Sequence, residues 1–87
     1  MAQSRPEEIA AIVDRIKPLL AGQPAELQLA VLADCLAIWL AGHYVEGDAE
    51  ATRKMRAELL AMHCSAVREL TEINARIIGT TPYVGPA

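Results

Sequence analysis

Four side chains of this 87-residue chain are soft metal ligands: Cys35, His43, His63 and Cys64. A carboxylate, Asp34, adjoins the first of them. Zinc takes thiolates and neutral imidazoles that converge at about 2.0–2.3 Å. The spacing works against that chemistry, because Cys35 and His43 are eight residues apart and His63 and Cys64 are neighbours. Neighbouring helical side chains point about 100° apart and cannot easily chelate one ion. The short-spaced cysteine pair of zinc modules is also missing. The expectation is therefore no metal and no cofactor: two thiols in apolar helical segments, one histidine at a helix end, and one in a helical seam.

Asp34 is the sole charged residue between Leu29 and Ala41. Its simplest reading is an exposed break in a strip of alanines. The alternative is a buried carboxylate paired with Arg53, Arg56 or His63, where it would fix register. Trp39, His43 and Tyr44 cluster near the end of the same apolar segment, and with Asp34 they are the candidate pocket residues. Packing at a core rim is the competing account of the two aromatics. In a dimer, His63 could face its own symmetry mate or Asp34, which would make assembly sensitive to acid.

Catalytic patterns are missing. No serine sits in a nucleophile elbow and no glycine-rich loop is built for phosphate. Glu-x-x-His, the helical signature of carboxylate-bridged di-iron bundles, does not occur. A general acid or base at Asp34 would need a second polar group converging on it. Arg53, Lys54 and Arg56 could touch phosphate, but Asp48, Glu50 and Glu58 dilute them, and the net charge is −3. With no Phe, one Trp and two Tyr, platforms for stacking bases are scarce. Nucleic acid is not an expected partner.

The elements that must position these groups are helical, and the fold class is all-α. Ser4 and Glu7 fit a capping box, Pro6 suits a first turn, and apolar residues from Ile9 to Leu20 recur at helical spacing, so a first helix spans about 6–21. Pro18 predicts a kink or an early end, and Gly22 a C′ residue. A second helix spans about 24–42, opened by Pro24 at the first helical position with Glu26 in the first turn. It is apolar nearly all round, which demands cover on several sides. Asp48 is a good N-cap and Gly79 a good C′ residue for a third helix over about 49–78, which would be about 45 Å long. Residues 80–87 read as a flexible tail behind a single helical domain of residues 1–79.

The third helix carries a seam. Leu59, His63, Ala66, Leu70, Ile73 and Ile77 repeat at alternating intervals of four and three, as in a coiled coil. Leu60, Cys64, Val67 and Ile78 widen it, and Arg68–Glu72 and Glu72–Arg76 stand at pairing distance on the opposite face. A hairpin of helices 2 and 3 would leave part of this seam bare, so it is the expected dimer interface of a helical bundle. Two cysteines are too few for a disulfide scaffold and fit a reducing cytoplasm. The N-terminus lacks a basic region followed by an apolar run, and the central apolar stretch is short for a bilayer and interrupted by Asp34. No membrane attachment is expected.

The functional expectation is a small cytoplasmic homo-oligomeric interaction module: an adaptor, accessory subunit or regulator without catalytic chemistry. Its partners would be itself and an unidentified protein. The alternative is a small-molecule or metal-binding bundle that uses Asp34, His43, His63 and the cysteines.

Overall fold

A computed structural model describes residues 5–80. Ser4, half of the expected capping box, and the tail from residue 81 lie outside the described residues. The fold is all-α: α1 is Arg5–Leu20, α2 is Ala25–Ala41 and α3 is Ala49–Ile78. Among the described residues there is no strand. The chain divides into two compact units, the first holding α1 and α2 through Leu36, the second holding the rest of α2 and α3.

In the first unit, α1 runs through Pro18 to Leu20, so the early end expected at that proline does not occur. The proline removes one N–H, and the carbonyl it strands, that of Asp14, lies on an exposed residue within reach of water. Gly22 then adopts φ 79°, the left-handed conformation of a C′ residue, and Gln23 N–H bonds Leu20 O at 3.1 Å. Pro24 is the N-cap of α2, not its first helical residue, because its carbonyl accepts the first helical bond, from Gln28 N at 3.0 Å.

The second unit is built around the corner between α2 and α3. Asp48 has the extended backbone of an N-cap, and its Oδ1 accepts from Ala51 N–H at 2.9 Å. Thr52 Oγ1 accepts from Val45 N–H at 2.9 Å and lies 2.8 Å from Asp48 O and 3.2 Å from Val45 O, either of which can take its proton. One side chain thus ties the connection to the first turn of α3. At the far end, Gly79 at φ 79° lets its own N–H and that of Thr80 both reach Ala75 O.

No described residue is buried. The nearest approach to a core in the second unit is a half-buried set, Leu40, Met55 and Leu59, beside the corner. Among the described residues, twenty large apolar side chains stand exposed, from Ile9 in α1 to Ile78 in α3. Three ion pairs form there, Arg5–Glu8, Asp14–Lys17 and Glu50–Arg53, all between solvent-facing side chains three residues apart. Such pairs add little stability.

Candidate functional site

Three of the residues singled out by type come together at the end of α2. His43 follows the helix by two residues, and its Nδ1 lies 2.7 Å from Trp39 O. A carbonyl only accepts, so Nδ1 carries the proton of this bond. The imidazole meets the Trp39 ring edge-on at 4.7 Å between centroids. His63, from the middle of α3, approaches the same indole at 6.4 Å. The two imidazoles thus each approach one half-exposed indole.

Arg56 organises this corner. Arg56 donates from Nε to His43 O at 2.9 Å and from Nη2 to Ala41 O at 3.0 Å. The last carbonyls of a helix have no partner of their own and carry the negative end of its dipole, so a guanidinium fork serves both needs. Gln28 plays the corresponding part in the first unit, where its Nε2 donates to Leu20 O at 2.8 Å. Each of the first two helices is therefore closed by a side chain from the helix that follows it. Gln28 is the lone amide in a helix whose other polar side chains are the carboxylates of Glu26 and Asp34, and that was the available signal. Nothing at the level of composition separates Arg56 from Arg53, which pairs with Glu50 at 2.7 Å.

Asp34 is exposed and makes no hydrogen bond or ion pair among the described residues, so the register-fixing pair does not form. Cys35 is exposed, Cys64 is half-buried, and both are free thiols. Among the described residues no group of three or more His, Cys, Asp or Glu side chains is placed to hold a metal ion. Tyr44 borders a shallow hollow with Val45, Asp48, Thr52 and Arg56, but Trp39 and His43 do not line it. Asp48, Thr52 and Arg56 already spend hydrogen bonds on the α2–α3 connection and the first turn of α3, and Arg53, which also lines the hollow, bonds Glu50.

The seam on α3 divides in two. Leu59 is half-buried near the corner, whereas His63, Ala66, Leu70, Ile73 and Ile77 are exposed, Ile77 at 74%. Beside it an open apolar groove is lined by Val67, Leu70, Thr71, Asn74, Ala75, Ile78 and Thr80. The charges around this stretch are unpaired within the described residues: neither Arg68–Glu72 nor Glu72–Arg76 closes to an ion pair, and Glu69 has no partner. No helix among the described residues is long and apolar enough to cross a membrane.

No protein-family model, curated protein or solved structure matches the chain.

Proposed function

We propose that this protein is a small all-α interaction module that works as a cytoplasmic homodimer, serving as an adaptor, accessory subunit or regulator with no reaction of its own. One observation carries the reading: not one apolar side chain among the described residues is buried, while twenty large ones are exposed. Helices of marginal intrinsic stability draw most of their stabilisation from packing an apolar face. Ordering each residue costs on the order of 1–2 kcal/mol in backbone entropy, which exposed side chains do not repay. Large apolar side chains exposed in this number point to a surface that a partner covers in a folded protein. A second copy supplies complementary apolar faces in equal number, and closed two-fold assembly is the commonest way for one chain to cover itself.

The polar chemistry agrees with that reading. The Trp39, His43 and Arg56 groups are occupied in closing a helix end. Two free thiols fit a reducing compartment.

Native mass spectrometry of untagged protein, purified without chelator, tests the proposal. The expected spectrum holds a dimer with no added mass, and Leu70→Glu with Ile73→Glu shifts it to monomer. A wild-type monomer with native helical content refutes the proposal. A stoichiometric adduct on wild-type protein would instead make the protein a ligand carrier.

A further inference from the structure

We infer that the occupant of the exposed half of the α3 seam is α3 of a second copy, running antiparallel, with the two-fold axis between Thr71 and Glu72. The inference rests on the homodimer reading above and specifies its geometry.

Intervals of four and three make Leu59, Ala66 and Ile73 the d positions of a heptad, and His63, Leu70 and Ile77 the a positions. In an antiparallel pair an a residue faces a d residue of the other copy. Leu70 against Ile73 and Ala66 against Ile77 share one centre, between Thr71 and Glu72. All four residues are exposed. Large meets small at both ends of the contact, Ile77 against Ala66, and Leu70 meets Ile73 in the middle layers. Leu59, already half-buried at the corner, falls outside this stretch.

The flanking positions decide the direction. The g positions beside these layers are Glu69 and Arg76, of opposite sign and one heptad apart. An antiparallel pair on this centre sets Glu69 of each copy beside Arg76 of the other, which gives two symmetric ion pairs. The e positions, Val67 and Asn74, fall opposite one another on the other flank. In a parallel, in-register pair each g position faces an e position instead, so Glu69 meets Asn74 and neither charge finds an opposite. Neither Glu69 nor Arg76 has an ion-pair partner within its own chain among the described residues. On this centre the two copies of His63 are separated by about 25 Å along the helix axis. They cannot face each other across the interface.

Charge reversal tests the direction. In sedimentation equilibrium at low salt, Glu69→Arg alone or Arg76→Glu alone turns two attractions into two repulsions. Each should raise the dimer Kd roughly ten- to thirty-fold at exposed sites of this kind. An equimolar mixture of the two variants should restore wild-type affinity, because the heterodimer regains both ion pairs. Salt near 1 M should erase the difference. Pulsed spin-label spectroscopy on Glu58→Cys, in a Cys35→Ser and Cys64→Ser background, should place the labels about 40 Å apart.

A dimer indifferent to both reversals, with its labels at position 58 within about 20 Å, overturns the antiparallel assignment and leaves the homodimer standing. A wild-type monomer overturns both.

Discussion

Replacing Arg56 with Met keeps most of the aliphatic stem and removes every donor from the closed end of α2. Two carbonyls lose their partner, His43 O and Ala41 O, held at 2.9 and 3.0 Å. The Nε bond is partly buried and comes from a charged donor, so it is worth about 1.5 kcal/mol. The Nη2 bond is exposed and is worth about 0.5 kcal/mol after competition with water. The cation at a helix C-terminus adds a few tenths of a kcal/mol. The expected loss is about 2 kcal/mol, or a fall in Tm of about 8–16 °C for a domain of this size. Arg56→Lys keeps the charge but not the fork, and it should recover about half. Circular dichroism melts at one fixed protein concentration measure both, since the proposed assembly would contribute to Tm. Emission from Trp39, the chain's lone tryptophan, reports on the corner directly. If Arg56→Met melts within about 2 °C of wild type, the guanidinium is not closing the helix and the account of this corner is wrong.

The same reasoning applies at the other closed end. Gln28→Leu should cost about 0.5–1 kcal/mol by removing one of the two donors to Leu20 O, which keeps Gln23 N–H, and Gln28→Glu should cost more, because a carboxylate also repels the carbonyl. Urea melts of the pair check the order, and equal effects would refute the bond. Asp48→Ala should cost about 1 kcal/mol by releasing Ala51 N–H, while Asp48→Asn should cost only a few tenths. Amide exchange in the first turn of α3 should rise in the alanine variant alone.

What the sequence made legible followed from how local each signal is. Helix α3 is found at both ends as expected because Asp48 and Gly79 act on the backbone within a few residues of themselves. The start of α2 shifts by one residue because Pro24 serves through its carbonyl as a cap, a role its ring chemistry does not announce. Pro18 reads as a breaker, yet the carbonyl it strands lies on an exposed residue, so the helix continues. The periodicity of α3 located its exposed seam. The closing roles of Gln28 and Arg56 stayed hidden because they depend on where a preceding helix ends in space. The pairs expected at Arg68–Glu72 and Glu72–Arg76 do not form, since long exposed side chains gain too little from each other to hold one geometry.

The two helix-closing side chains also set an order of events for a chain emerging from the ribosome. Leu20 waits eight residues for Gln28, and Ala41 and His43 wait fifteen and thirteen for Arg56. Every closure therefore happens soon after its helix is made, with no long loop to shut, and such short-range contacts form fast. In the proposed homodimer, covering the apolar faces is a different kind of step, because a second copy has to supply the cover. The first stage would be unimolecular and rapid, and the second would depend on meeting another molecule. The abundance of the protein would then become a determinant of how much of it is stable, and a nascent chain made in isolation would be open to proteolysis until its concentration rises.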